Sequence, residues 1–161
     1  MREFSTEDAT AFYKMNSDPE VIRYTGDVPF ASPNEARNFI ANYSHYKEYG
    51  YGRWAICLKP SLQFIGFCGL KYHPKPEITE VGYRLFREHW GMGIATEASL
   101  AAIHHGFNEL GLKAIYAHVD AKNPASARVL IKCGMQFVGH DTHEGAPIDL
   151  YKIEKPTHET T

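Results

Sequence analysis

The residues with the clearest chemical content lie between Glu80 and Glu97, in the stretch E-V-G-Y-R-L-F-R-E-H-W-G-M-G-I-A-T-E. Gly91-Met92-Gly93-Ile94-Ala95 is a glycine-rich turn, and Thr96 and Glu97 open a run that reads as helix. Upstream, Val81, Tyr83 and Leu85 alternate with Glu80, Gly82 and Arg84, the period of two that a half-buried strand requires. Strand, glycine turn and helix together form an anion cradle. Glycine lets the backbone turn tightly and approach a ligand, the unpaired N–H groups of the first helical turn point at it, and the helix dipole favours negative charge there. A pyrophosphate fits such a cradle. The plainer reading is a tight loop that packs a helix on a sheet. Neither common nucleotide signature is present: no Gly-Lys pair follows as in a P-loop, and Thr96 stands where a Rossmann fingerprint has its third glycine.

The elements that must position this stretch can be read in order. Ser5 with Asp8 resembles a capping box and opens a helix to about Asn16. Asp18-Pro19-Glu20 starts a short helix through Tyr24. Ser32-Pro33-Asn34-Glu35 starts a third, with Ala36, Phe39, Ile40 and Tyr43 on one apolar face and Gly50 placed to end it. Strands are expected at Gly52–Leu58 and Phe64–Tyr72, joined as a hairpin, and then at Thr79–Leu85. A helix over Thr96–Leu110, a strand over Ala114–Val119 and a helix from Asn123 to about Cys133 follow. Met135–Asp141 and Ile148–Ile153 form a final antiparallel pair, and the polar tail from Lys155 is expected to fray. This order predicts one domain over residues 1–161, an α/β (α+β-like) fold with a mostly antiparallel mixed sheet and helices on both faces.

Composition excludes several classes. The chain has 161 residues, 43% hydrophobic and 22% charged, with a net charge of −2. That balance leaves no nucleic-acid footprint, and no apolar run reaches the roughly 20 residues of a membrane helix. Cys57, Cys68 and Cys133 are scattered and form no Cys-x-x-Cys pair, which favours reduced thiols and a cytoplasmic setting. Nine histidines raise the question of metal, but none forms His-Glu-x-x-His, and no metal is expected.

Trp90, Gly91, Met92, Gly93, Ile94, Ala95 and Thr96, with Asn123-Pro124-Ala125-Ser126 and Lys132-Cys133-Gly134-Met135 further on, resemble the GNAT superfamily of acyl-CoA-dependent N-acetyltransferases. Its pyrophosphate motif is Gln/Arg-x-x-Gly-x-Gly/Ala. Gly93 and Ala95 match the last two fixed positions, while Trp90 replaces Gln or Arg. Trp-Gly-x-Gly-x-Ala-Thr-Glu-Ala is the form typical of the branch that acetylates ribosomal-protein N-termini. The resemblance covers nearly the whole chain. It implies the GNAT fold with a splayed central strand pair, and acetyl-CoA held by residues 90–96, by Leu85 and Phe86, and by Asn123. In the family, related chains carry more residues before the equivalent of Arg2-Glu3-Phe4, so the first strand is expected to be cut short.

The resemblance also implies roles. A primary amine with a pKa near 10 is mostly protonated at neutral pH and must lose a proton before it attacks a thioester. Glu80 is the candidate base; its plainer role is an exposed carboxylate or one paired with Arg84. The tyrosine that many members use as acid for the departing thiolate is replaced by Leu130. Ser126 is the substitute, a hydrogen-bond donor to sulfur. Glu97, in the first helical turn, is favoured there by the dipole alone. Backbone N–H groups near Leu85 and Phe86 are expected to stabilise the oxyanion. Tyr24, Thr25 and Trp54 are expected on the acceptor side. The expected reaction is acetylation of a peptide or protein N-terminal amine. The alternatives are a small amine (amino acid, polyamine or antibiotic) or a non-catalytic acyl-CoA sensor; a homodimer is possible.

Overall fold

The computed structural model describes residues 1–157. Its helices are α1 (Ala9–Asn16, preceded by a 3-10 turn over Thr6–Asp8), α2 (Pro19–Ile22), α3 (Pro33–Ala41), α4 (His45–Tyr49), α5 (Ile94–Asn108) and α6 (Pro124–Lys132). Its strands are β1 (Arg53–Cys57), β2 (Phe64–His73), β3 (Ile78–Leu85), β4 (Ala114–Asp120), β5 (Gln136–His143) and β6 (Ala146–Glu154). They form one six-stranded sheet in the order β1-β2-β3-β4-β6-β5. Only β3 and β4 run parallel; the other neighbours are antiparallel. The mixed, mostly antiparallel sheet is as expected.

The sheet is covered on both faces at β1 and β2, which carry apolar side chains at both alternations, whereas β5 is largely exposed. On one face Ile65, Cys68, Leu70, Val81, Leu85, Ile115, Ala117 and Val119 pack against α5 and α6. Helix α5 buries Ala98, Ala102, Ile103, Gly106 and Phe107, a stripe at helical spacing. On the other face Phe64 and Ala55 meet Phe12, Met15, Ala36 and Ile40 of α1 and α3. Phe4, Phe12, Phe30, Phe39 and Phe67 interlock there with ring centroids 5.3 to 6.0 Å apart, the spacing at which edge and offset contacts add to simple burial.

Three of the sequence-based expectations are corrected. The helix from Ser32 does not run to Gly50: it ends at Ala41, and a short turn through Asn42 separates it from α4, which Gly50 closes with φ +78°. The break lets two tyrosines brace β1. The Tyr43 hydroxyl accepts the Arg53 N–H (2.8 Å), and the Tyr46 hydroxyl accepts the Phe4 N–H and donates to the Arg53 carbonyl. Helix α2 stops at Ile22, since the Thr25 hydroxyl turns back to the Ile22 carbonyl. The first strand is cut short as expected, to a single bridge of Arg2 with Ala55, reinforced by a two-pronged Arg2–Asp8 ion pair at 2.7 and 2.9 Å. Asp8 also completes the capping box with Ser5. Lys155 is tied down, its backbone N–H on Lys113 and its Nζ on the Phe107 carbonyl; residues 158–161 of the tail lie outside the described residues.

Candidate active site

The parallel pair β3 and β4 meets at one register position, Glu80 opposite Tyr116. Beyond it the strands part, leaving a wedge toward their C-terminal ends. β3 runs on into the glycine turn and α5, and β4 into the start of α6. Open crevices at strand C-termini are where ligands sit in α/β sheets.

At the glycine turn, Gly91 and Gly93 adopt φ +74° and +78°, a region that costs a side-chain-bearing residue about 1–2 kcal/mol. A Cβ built on either meets nothing within 4 Å, so the space above the turn is open. Gly93 is the residue before α5, and no side chain caps the helix there. By contrast α2, α3 and α6 are capped by Asp18, Ser32 and Asn123. The first-turn N–H groups of a 15-residue helix therefore face open space without a side-chain partner. These residues fit a pyrophosphate.

Trp90 takes a different part from the Gln or Arg it replaces. Its indole N–H donates to the Leu85 carbonyl (3.1 Å), which fixes the turn against the end of β3. Leu85 is buried, and the Phe86 N–H is already donated to the Ile65 carbonyl (3.0 Å). The Phe86 amide is thus committed to β2 and is not a free oxyanion donor. Met92 is exposed, while Ile94 and Ala95 turn toward the core and Thr96 accepts a weak S–H contact from Cys133 through its carbonyl.

On the face of the wedge toward α5 and α6, Tyr83 and Ser126 meet across the two strands' ends. The Tyr83 hydroxyl donates to Ser126 Oγ at 3.0 Å. Asn123 accepts the Ser126 N–H through Oδ1, so its side chain serves as helix cap. Burial pushes the Tyr83 hydroxyl above its ordinary pKa, with the Ser126 contact acting against it. Leu130 is buried in the core.

On the opposite face lies Glu80. Its carboxylate pairs with residues from both neighbouring strands, β2 and β4, and from β1 beyond β2. Oε2 accepts from His73 Nε2 (3.0 Å) and from His118 Nδ1 (2.7 Å), and Oε1 accepts from Arg53 Nη2 (3.2 Å). Arg53 lies across β2 and β3, also donating to the Gly69 and Glu80 carbonyls. Gly82 makes room for it: a Cβ there would sit 2.7 Å from Arg53 Nη2. Burial alone would raise the Glu80 carboxyl, but the hydrogen bonds from His118 and His73 and the Arg53 charge outweigh it and hold it well below the usual carboxylate range. The Glu80 contact raises His118 against the lowering effect of its burial. Arg84 is not the partner of Glu80; it donates to Asn16 (3.0 Å) and Asp27 (2.6 Å).

The expected acceptor-side residues divide. Trp54 lies on the α5 face, edge-on to His105 at 5.5 Å and against the core, so the sheet separates it from Glu80. Tyr24 is half-buried beneath Arg23, and Thr25 orders the turn to Asp27. Sequence reasoning missed Arg53, His73, His118 and Tyr83. Among the described residues no group of three or more His, Cys, Asp or Glu is arranged to hold a metal ion.

A six-stranded mixed sheet that opens at one parallel pair, with a glycine-lined helix start beside the opening, defines a transferase of the acyl-CoA type. The family model described as acetyltransferase (GNAT) domain matches residues 1–136, and the chain belongs to that family. It is similar to the uncharacterized N-acetyltransferase p20 of Bacillus licheniformis (33% identity, 94% of this chain and 88% of the relative). It is also similar to the uncharacterized N-acetyltransferase YoaA of Bacillus subtilis (34%, covering 97% and 93%). Among solved structures, a GNAT-family acetyltransferase from Bacillus anthracis superposes with TM-score 0.81 at 25% identity over 95% of this chain and 92% of that one. The fold is shared with the Vibrio cholerae spermidine N-acetyltransferase in complex with CoA and spermine (TM-score 0.79, 21% identity, 95% and 93% covered). It is shared too with RimL, a ribosomal L7/L12 α-N-protein acetyltransferase in complex with coenzyme A (0.80, 16%, 95% and 92%).

Proposed function

We propose that residues 1–161 act as one domain that transfers the acetyl group of acetyl-CoA to a primary amine, with a peptide N-terminal amine as the acceptor. The observation that carries this reading is the wedge between β3 and β4, flanked by the open N-terminus of α5 at Gly93. The pyrophosphate would sit on Gly91–Thr96, and the thioester would reach into the wedge between the Tyr83–Ser126 pair on one face and the Glu80 cluster on the other. Binding both substrates in line turns a bimolecular encounter into a local one. The amine nitrogen then attacks the carbonyl carbon, the C–N bond forms, and the C–S bond breaks.

The Tyr83 contact gives Ser126 a defined direction. Because Ser126 Oγ accepts from Tyr83, its own proton is free to turn toward a departing sulfur. A serine hydroxyl is a weak acid, so it contributes a hydrogen bond more than a proton. Ser126→Ala is expected to lower turnover about tenfold, or ~1.4 kcal/mol, at every pH from 6 to 9 while CoA still binds. Equal rates for parent and variant would leave Ser126 as a helix residue beside the cofactor.

The acceptor class is tested by thiol release from acetyl-CoA with two panels, short peptides differing in their N-terminal residue and small amines including spermidine and free amino acids. Mass spectrometry then locates the acetyl group. Acetylation of peptide α-amines is the expected result. Turnover confined to small amines would overturn the peptide reading, and CoA binding without turnover would make the protein an acyl-CoA sensor.

A further inference from the structure

We propose that His118 takes the proton from the acceptor amine through Nε2, and that Glu80 is the positioning residue that holds His118 for this task. The proposal rests on the acetyl-transfer reading above and specifies its proton path.

His73 and His118 share one oxygen of Glu80. An ionised carboxylate only accepts hydrogen bonds, so each ring nitrogen that meets Glu80 Oε2 must carry a hydrogen. For His118 that nitrogen is Nδ1, at 2.7 Å. A neutral imidazole with its hydrogen on Nδ1 bears its lone pair on Nε2, directed away from Glu80. A carboxylate that fixes the tautomer and then stabilises the imidazolium is the arrangement by which a histidine becomes an effective base. Glu80 itself is a poor base, because all of its basicity is spent on three donors, His73, His118 and Arg53.

Position separates the two histidines. His73 ends β2, on the side of β3 away from the wedge. His118 lies on β4, two residues beyond the last pairing of β3 with β4, at the point where the strands part. Its side chain is 27% exposed, enough for a ligand to reach. Of these two residues, His118 alone borders the opening that would admit the thioester. The charged and titratable groups around it are Glu80 on β3, His73 on β2 with ring centroids 6.4 Å apart, Arg53 on β1 reaching Glu80, Asp141 on β5, and, two residues along the same face, Tyr116 on β4 with Lys152 of β6 over its ring. The proton balance is simple. The acceptor ammonium gives one proton to Nε2, which passes it to solvent after the amide forms; the second amine proton leaves with the thiolate.

Two measurements test this. The first needs no acceptor: NMR of the histidine rings in the whole protein, with the His118 signals assigned by their loss in His118→Gln. The expected result is the Nδ1–H tautomer for neutral His118 and a lower titration midpoint in Glu80→Gln. A neutral His118 carrying its hydrogen on Nε2 would overturn the proposal. The second is a pH–rate series from 6 to 9 with acetyl-CoA and an amine from the panel that releases thiol. Ionisation of that amine is common to all variants, so differences between profiles report the protein. His118→Gln is expected to lose on the order of 100-fold at pH 7 with CoA affinity unchanged. Glu80→Gln should keep a basic group and shift the acid limb to lower pH, and His73→Gln should lose less than tenfold. A His118→Gln profile matching the parent in an active enzyme would overturn the His118 role alone. A parent enzyme that acetylates nothing in either panel would remove the acetyl-transfer reading, and the proton path with it.

Discussion

Gly93→Asp is expected to bind CoA at least a hundredfold more weakly than the parent, a loss of about 2.7 kcal/mol or more. Two physical effects act together. Gly93 sits at φ +78°, where a Cβ is strained, although aspartate tolerates this region better than most residues. More decisively, the new carboxylate would stand at the uncapped start of α5, where it can take the first-turn N–H groups for itself and repel a pyrophosphate. The same carboxylate complements the helix dipole, so the fold is expected to remain intact. Gly93→Ala, which carries the strain without the charge, should lose much less affinity. Titration calorimetry with CoA compares the three proteins. A folded Gly93→Asp with parental affinity would remove the pyrophosphate from this turn.

Glu80→Gln is expected to destabilise the fold most strongly near pH 5.5, by roughly 2–4 kcal/mol, because it breaks a largely buried charge cluster. The pH dependence follows from two opposite shifts. The folded Glu80 carboxyl titrates below its unfolded value, so its contribution is present above about pH 4.3 and is lost as pH falls toward the folded value. The folded His118 titrates above its unfolded value, so its contribution is complete below about pH 6.5 and is lost as pH rises through the folded value. Both are complete together only between those limits. Urea denaturation of parent and variant at several pH values should therefore show a stability difference that peaks in this window and narrows on either side. A difference that is flat from pH 3 to 9 would mean that neither ionisation is coupled to folding.

Much of the fold was legible because its signals are local. Alternation along Val81, Tyr83 and Leu85 marked β3, the Ser32-Pro33 start marked α3, and the glycine turn marked the beginning of α5. The break after Ala41 was not legible. Tyr43 continues the apolar periodicity of α3, yet its hydroxyl is used by β1, a contact that only tertiary packing determines. The site divides in the same way. Glu80, Ser126 and the glycine turn could be singled out by residue type and motif spacing. His73 lies seven residues from Glu80 across the β2–β3 hairpin, and correct register would have brought the two together. Arg53 and His118 are 27 and 38 residues away, joined to Glu80 only by strand order. Without that order Arg84, four residues along β3 on the same face, is the natural partner, and the structure gives it Asp27 instead.

The sharing of one carboxylate among β1, β2 and β4 has a consequence for selection experiments. Backbone pairing between β3 and β4 ends at Glu80, and the His118 contact ties the two halves of the sheet at that same place. Catalytic groups are often liabilities to folding, and replacing them commonly raises thermal tolerance. Here the opposite is expected, since substitution at Glu80 removes cohesion along with chemistry. A library sorted only for soluble expression, with no demand for turnover, should therefore retain Glu80 while letting Ser126 drift. Persistence of a residue under such sorting would report on this tie across the wedge, and the contrast between the two positions would separate what the sheet requires from what the reaction requires.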